Sequence, residues 1–205
     1  MYWEAATLPP VWPLLYKVSI LYSKFLNTEC YADSMLRPFD IALLLKLTLP
    51  GVAEASFQKL ASELHVSSSE VHAAIKRVRM SGLLSHEGPK KVNRSALLEL
   101  LGHGMKYVYP AVRGELTRGV PTSFAAEPLS SFIRDGGSEV PVWPHVLGKV
   151  RGYLFEPLYK HAAEAALADP AFYQLLSLVD ALRDGRVRER KIALEIINKR
   201  LFEDG

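Results

Sequence analysis

The sequence predicts a mainly α-helical fold with a small β-hairpin, and two observations lead to this fold class. First, apolar residues recur at positions i, i+3, i+4 and i+7 in several stretches, which is the periodicity of an amphipathic helix. Second, short segments rich in glycine, proline and serine separate these stretches. The chain has 205 residues, of which 49% are hydrophobic and 23% are charged, a composition typical of a globular protein and not of a disordered one.

Cysteine content and net charge narrow the classes of function. The single cysteine, Cys30, excludes an intramolecular disulfide framework and a zinc site built from a cysteine cluster. It also favours a reducing compartment, and we therefore expect a cytoplasmic protein. The net charge is only +3, so affinity for a polyanion has to come from a local cluster of basic residues.

Residues 1–34 are apolar but do not have the pattern of a membrane span. Prolines interrupt the apolar stretch 8–26 and lysines charge it, whereas a spanning helix needs about 20 nearly uncharged apolar residues. The stretch also lacks the basic start and the cleavage site of a signal peptide. We interpret residues 1–34 as a helical extension that packs on the domain. Two alternatives are an over-long start, with translation beginning at Met35, and a membrane-surface anchor.

Three helices are expected at the start of the domain. Pro38 suits a first helical turn, and the residues that follow it are apolar nearly all round, so this helix must be covered on more than one face. Residues 54–65 carry apolar positions at helical spacing and form the second helix. The third helix begins after Ser67, an N-cap residue with Glu70 three positions later, as in a capping box. Gly82 closes this helix.

A hairpin and a further helix follow. Residues 83–86 and 92–94 are interpreted as two short strands joined by a turn, and Ser95 caps a helix that continues to about Leu101, where the glycines at 102 and 104 break it. Two short helices that meet at a tight turn, followed by a hairpin wing, have the layout of a winged helix-turn-helix. We assign this layout to residues 35–104.

The outward side of the third helix and the hairpin form the predicted DNA-binding surface. Six basic and two acidic side chains give residues 68–94 a net charge of +4, so the positive charge of the chain is concentrated there. Short side chains followed by basic ones suit a helix that lies in a major groove, and lysines at a hairpin tip suit phosphates. The predicted DNA-binding residues are Ser68, Ser69, His72, Ala73, Lys76 and Arg77 on the helix, Lys90 and Lys91 at the tip, and Arg94 at the base of the hairpin.

A set of residues in this segment also resembles the sequence pattern of a known protein family. The set consists of Leu60-Ala61, Leu64, Val66-Ser67, Val71, Ala74-Ile75 and Arg77, followed by Gly82-Leu83-Leu84. Over about residues 37–97 the chain resembles bacterial winged helix-turn-helix DNA-binding regulators of the MarR and related types. The resemblance implies that the third helix reads the major groove through Ser68, Ser69, His72 and Lys76, and that Lys90 and Lys91 contact the backbone. Members of this size dimerise through long flanking helices, whereas this chain first inserts a segment rich in proline and glycine.

Residues 105–156 are predicted to be that ordered but irregular Pro/Gly-rich connection. We expect short strands at 106–110 and near 149–155, and aromatic residues favour packing over disorder. Tyr107, Tyr109, Arg113 and Arg118 form a candidate ligand or anion site. One alternative is a strap over the core in which both arginines pair with acidic neighbours, and another is a segment that reaches along DNA and adds phosphate contacts.

Residues 157–205 are predicted to be a C-terminal helical module. Helices are expected to begin at Pro157 and at Asp169-Pro170, and a last helix covers about 186–202. Their apolar residues bury against each other or against a second copy, and we therefore expect a homodimer.

Together these observations predict a sequence-specific transcriptional regulator whose partner is double-stranded DNA. The alternative is an antitoxin-like or protein-interaction winged-helix protein whose C-terminal half binds a partner protein. No enzymatic activity, cofactor or metal site is expected. The six histidines lack the spacing of helical metal ligands beside a carboxylate, and Gly102 and Gly104 do not belong to a phosphate loop because no Gly-Lys-Ser/Thr sequence follows them.

Overall fold

A computed structural model describes residues 35–133 and 139–202 of the chain. The helices in chain order are α1 (Pro38–Leu47), α2 (Phe57–Glu63), α3 (Ser68–Met80), α4 (Arg94–Glu99), α5 (Met105–Val108), α6 (Ala162–Ala168), α7 (Pro170–Asp184) and α8 (Val187–Phe202). The strands are β1 (Arg113–Pro121), β2 (Pro141–Pro144) and β3 (Val150–Phe155). The expected fold class, mainly helical with a small β part, is confirmed. The three interpretations of residues 1–34 concern residues outside the described ones.

The chain from Leu36 onward is one compact unit with a shared hydrophobic core. α1 lies at the centre of this core, as its apolar sequence predicts. All of its residues from 39 to 47 are buried, and it packs against both α3 and α7. Two charged side chains of α1, Asp40 and Lys46, are among these buried residues and find partners on other elements. The predicted segments 35–104, 105–156 and 157–205 are therefore parts of a single unit.

The turn between α2 and α3 is built from local contacts that the sequence predicts. Ser67 Oγ accepts a hydrogen bond from the N–H of Glu70 at 3.2 Å, which confirms the N-cap of α3. His65, in the turn, has a φ of 54°, and Gly82, just after α3, has a φ of 72°. The left-handed conformation of Gly82 is the one in which glycine commonly ends a helix.

The hairpin after α3 is short, and the chain beyond it stays helical. Leu84 and Val92 form a single antiparallel bridge. From Arg94 the helix continues through α4, a wide turn (Leu100–Gly104) and α5. The predicted helix break at 102–104 and the predicted strand at 106–110 are therefore wrong. A Cβ on Gly102 would lie only 3.2 Å from Leu194 of α8, so this glycine allows two helices to approach and does not end one.

The segment that was expected to be irregular contains the whole sheet. β1 pairs antiparallel with both β2 and β3, and β2 pairs parallel with β3, so every pair of strands is hydrogen-bonded. β3 confirms the strand expected near 149–155. Glycines permit this tight arrangement, since a Cβ on Gly119 would lie 2.0 Å from the carbonyl oxygen of Trp143, and one on Gly152 would lie 2.0 Å from that of Val140.

α7 is the central helix of the C-terminal part. It packs against α1, α5, α6 and α8, and its residues from 175 to 183 are all buried. Its predicted start is confirmed, because Asp169 accepts hydrogen bonds from the N–H groups of Ala171 and Phe172 and Pro170 occupies the first turn. The predicted last helix is confirmed as α8, whereas α6 begins later than the expected Pro157.

Within residues 35–133 and 139–202, no helix is both long enough and apolar enough to cross a membrane.

Candidate nucleic-acid interface

The outward side of α3 carries a row of exposed polar side chains, which we call the α3 stripe. It consists of Ser69, His72 and Lys76, which follow one another at i, i+3 and i+7 and so lie on one side of the helix. Ser68 and Ala73 are half-buried. The opposite side, with Val71, Ala74, Ile75 and Val78, is buried as predicted. Lys76 has no ion-pair or hydrogen-bond partner among the described residues.

An aromatic contact holds His72 in place. Its ring stacks on Phe57 of α2, with centroids 3.8 Å apart and planes inclined by 16°. One face of the imidazole is covered by this contact while the residue as a whole stays exposed. In the neutral ring one nitrogen donates a hydrogen bond and the other accepts one, so the free edge offers both functions to a partner.

Arg77 does not lie on the exposed surface, and the prediction that it flanks the outward side of α3 is wrong. Its side chain is 2% exposed and forms a two-pronged ion pair with Asp40 of α1. Glu70 makes a further contact with the guanidinium at 3.0 Å. These hydrogen bonds to Asp40 and Glu70 raise the pKa of Arg77 above its already high ordinary value. Arg77 lies between the exposed and the buried sides of α3, and the ion pair with Asp40 directs its side chain into the core.

The side chain of Lys90 does not project from the hairpin turn into solvent, so the prediction that it is an exposed lysine of the tip is wrong. It is 9% exposed, its Nζ donates to the carbonyl oxygen of Ala55, and it lies 5.3 Å from the centre of the Phe57 ring. Arg79 of α3 donates to the carbonyl oxygen of Pro89. Two basic side chains thus hold the hairpin in place: Lys90 joins it to Ala55 in the segment before α2, and Arg79 joins it to α3.

Lys91 and Arg94 remain nearer the surface. Lys91 is exposed and pairs with Glu87, and this contact lowers the pKa of the Glu87 carboxyl. Arg94 is half-buried at the start of α4. Both residues line an open groove of about 900 Å³ between the hairpin and residues 47–54, together with the acidic Glu54 and Glu87. The groove thus carries charges of both signs, and Lys91 is the basic residue among them that is exposed.

The four residues of the candidate ligand site have different partners, and no hydrogen bond, ion pair or ring contact joins any two of them in the described part of the chain. Tyr109 donates from its hydroxyl to the carbonyl oxygen of Leu36 at 2.7 Å, and burial raises its pKa to about 12. Arg113 pairs with Asp184, as the strap alternative expects of it. Tyr107 is exposed, and Arg118 is an exposed residue of β1.

Asp180 and Arg183 of α7 form a buried network that sequence reasoning missed. Asp180 accepts hydrogen bonds from Thr122 Oγ1 at 2.8 Å, Trp143 Nε1 at 2.7 Å and Arg183 Nη1 at 2.8 Å. Burial raises the pKa of Asp180, and the charge and hydrogen bonds of Arg183 oppose that rise. The sequence does contain a sign of this network, because Asp180 and Arg183 are two charged residues three positions apart in a largely apolar helix. Since the network is sealed from solvent, it joins α7 to the sheet and is not a ligand site.

Lys46 connects three helices through a second charged cluster. Its Nζ lies 2.6 Å from Asp169 Oδ2 at the start of α7 and 2.8 Å from Glu63 Oε2 of α2. Burial lowers the pKa of Lys46, but the two carboxylates outweigh burial and raise it overall. This cluster fixes the helices that carry the candidate interface to the C-terminal part.

Within the ranges 35–133 and 139–202, no three histidine, cysteine or acidic side chains are arranged to hold a metal ion. No protein-family model, no curated protein and no solved structure matches the chain.

Proposed function

We propose that this protein is a sequence-specific DNA-binding transcriptional regulator that places α3 in the major groove of double-stranded DNA. One observation carries the proposal. The α3 stripe of Ser69, His72 and Lys76 is exposed on a helix whose opposite side is held in the core. A helix fixed in this way can present side chains to a groove without moving relative to the rest of the domain.

Each residue of the α3 stripe has a chemical counterpart in the groove. The Ser69 hydroxyl donates or accepts a hydrogen bond, and the imidazole of His72 offers one donor and one acceptor. The Lys76 ammonium is a donor for guanine O6 and N7 or for a phosphate. Ser69 and His72 lie toward the N-terminus of α3, the end at which recognition helices meet base edges.

The hairpin is the proposed wing of a winged helix-turn-helix. Since Lys90 is buried and Arg79 donates to the hairpin backbone, the hairpin offers DNA a smaller charge than the sequence suggested. We assign backbone contacts to Lys91 and Arg94. Arg77 and Lys90 are removed from the proposed DNA-binding residues because both are buried.

We also propose that the protein binds as a homodimer, because two copies related by a two-fold axis would contact two half-sites about one helical turn apart. Exposed apolar side chains support a second interface, namely Tyr107, Val108 and Val112. Sedimentation equilibrium at micromolar concentration tests this point, and a monomer with and without bound DNA would refute it.

The experiment that tests the function is the selection of bound fragments from random DNA at physiological salt. Enrichment of one motif is expected, and a palindromic motif would match the homodimer. On that motif, the variant His72→Ala/Lys76→Ala should lose about 1–3 kcal/mol of binding free energy for each direct base contact removed. The matched control is Lys191→Ala, an exposed lysine of α8, which should bind like the wild type.

Two outcomes would contradict the proposal. If selection enriches no motif, or if His72→Ala/Lys76→Ala keeps wild-type affinity and selectivity, α3 does not read DNA. The protein-interaction alternative would then be favoured, with the C-terminal half as the binding surface.

A further inference from the structure

β1 and β3 carry a cluster of exposed positive charge that is separate from the α3 stripe and from the hairpin. Arg118 and Arg151 are direct partners across the antiparallel pair, so their side chains lie on the same face of the sheet. Lys149 lies just before β3 and precedes Arg151 by two residues, and alternate residues of an extended chain point the same way. All three are exposed. We call Arg118, Lys149 and Arg151 the cationic strand face.

The charges of this face are not balanced by an ion pair within the described part of the chain. None of the three side chains has an ion-pair or hydrogen-bond partner among the described residues. Leu116 and Tyr153, the adjacent cross-strand pair on the same face, are uncharged. Like charges placed directly opposite each other destabilise a strand pair. The arrangement is therefore unfavourable alone and becomes favourable when an external anion lies between the two guanidinium groups.

α6 connects the cationic strand face with the start of α3. The N–H of His145, in the loop after β2, donates to the carbonyl oxygen of Arg118 at 3.4 Å, and its Nε2 lies 4.0 Å from Glu164 Oε1 of α6. His161 precedes Glu164 by three residues and so lies on the same side of the helix. The ring of His161 is 6.5 Å from the ring of His65, in the turn that leads into α3. The loop after β2 and the turn before α3 thus both lie beside the N-terminal half of α6.

We propose that the cationic strand face binds the phosphate backbone of the same duplex, outside the base pairs that α3 contacts. This inference rests on the proposed DNA-binding function. A guanidinium forms two parallel hydrogen bonds with one phosphate, and the strand pair presents Arg118 and Arg151 side by side. Contacts of this kind add affinity and fix the orientation of the protein without any preference for base sequence.

The test compares two double variants of the full chain that have the same net charge. Arg118→Gln/Arg151→Gln removes two charges from the cationic strand face, and Arg188→Gln/Lys191→Gln removes two from exposed positions of α8. Affinity for the selected duplex and for a scrambled duplex is measured by fluorescence anisotropy at several salt concentrations. The first variant should reduce the slope of log K against log salt by roughly 0.9 for each phosphate that the protein no longer neutralises, equally on both duplexes. The second should keep the wild-type slope.

Duplex length gives an independent readout. Because the proposed contact lies beyond the α3 footprint, shortening the duplex on that side should weaken wild-type binding and leave Arg118→Gln/Arg151→Gln unaffected. Thermal unfolding of both variants checks that the sheet is intact, which is expected since the exchanged side chains are exposed.

The outcomes separate this inference from the proposed function. An unchanged salt slope in Arg118→Gln/Arg151→Gln, with specific binding weakened as expected in His72→Ala/Lys76→Ala, would overturn the inference alone. A wild-type protein that binds no duplex at any salt concentration would overturn both. If phosphatidylserine vesicles retain the wild type but not Arg118→Gln/Arg151→Gln, while the DNA slopes agree, the face binds a lipid surface and the inference is again wrong.

Discussion

Arg77 of α3 and Asp40 of α1 form a buried ion pair with two parallel hydrogen bonds. The distances Nε to Oδ2 and Nη2 to Oδ1 are both 2.7 Å, and the backbone N–H of Arg37 donates to the same carboxylate at 2.8 Å. The pair fixes α3 to α1 from the side facing away from solvent. The direction in which the α3 stripe points therefore depends on a contact that no ligand of the stripe can touch.

Replacing Arg77 by methionine should destabilise the protein by about 3–5 kcal/mol, because Asp40 would remain as a buried charge without its partner. Urea unfolding measures the loss. The double variant Asp40→Leu/Arg77→Met should recover most of it, since no charge then stays buried. The neighbouring exposed change Lys76→Met should alter stability by no more than about 0.5 kcal/mol. Wild-type stability of Arg77→Met would contradict the role given to the ion pair.

Adjacent lysines of the hairpin should respond differently to the same substitution. Lys90→Met leaves the carbonyl oxygen of Ala55 without its donor and should cost about 1–3 kcal/mol. Lys91→Met removes only an exposed pair with Glu87 and should be nearly neutral. Hydrogen exchange of the Ser85 and Asn93 amides, which bond across the hairpin, should accelerate in the first variant only. Equal exchange rates in both variants would show that Lys90 does not hold the hairpin.

Asp169 should make the junction of α1 and α7 sensitive to acid. Burial raises its pKa, but Lys46 Nζ at 2.6 Å and the N–H groups of Phe172 and Ala171 outweigh burial and lower the pKa below its ordinary value. A carboxyl whose pKa is lowered by folding stabilises the protein above its unfolded pKa, about 3.9, and loses this contribution as the pH falls through the folded pKa.

The corresponding experiment follows thermal unfolding from neutral pH to about pH 2. Asp169→Asn still caps α7 but carries no titrating group, so its stability should fall less steeply below about pH 4 than that of the wild type. The two proteins should converge at low pH. Parallel curves over the whole range would mean that Asp169 has no lowered pKa in the folded protein.

A methyl group should not be tolerated where the strands approach most closely. Gly152→Ala places a Cβ 2.0 Å from the carbonyl oxygen of Val140, so the strands must separate, at a cost of about 1–3 kcal/mol or more. The control is Gly88→Ala in the hairpin, where the added Cβ meets Lys91 Cβ at an ordinary 3.5 Å. Chemical denaturation distinguishes the two. A small effect at Gly152 would contradict the close packing of β3 against the segment before β2.

Elements fixed by neighbouring residues were predictable from the sequence. The N-cap of α3 at Ser67 and the start of α7 at Asp169 need only side-chain contacts to the next turn, and both were located correctly. The burial of α1 followed from its composition alone. Helical periodicity also predicted the exposed positions of Ser69, His72 and Lys76, because it determines which residues of α3 lie away from the buried apolar ones.

Features that depend on distant partners were not predictable in the same way. Periodicity placed Arg77 at the edge of the outward side, but its burial is decided by Asp40, which is 37 residues away. Lys90 was assigned to a tip because the partner that draws it inward is a backbone carbonyl, and any residue carries one. β3 was expected, but β1 and β2 were missed, because Gly119 is a turn former in a local interpretation and a strand residue only when the opposing backbone is present.

The two contacts that hold the hairpin in place affect how a bound DNA duplex would have to deform. Joined by Arg79 to α3 and by Lys90 to the chain before α2, the hairpin cannot swing independently of the helix beside it. The distance between the hairpin and α3 is then fixed. A duplex that does not fit this distance must bend or change the width of its groove. Pyrimidine–purine steps yield most easily to such deformation. Mechanical softness of the duplex, at base pairs that no side chain touches, would then contribute to which sites are occupied.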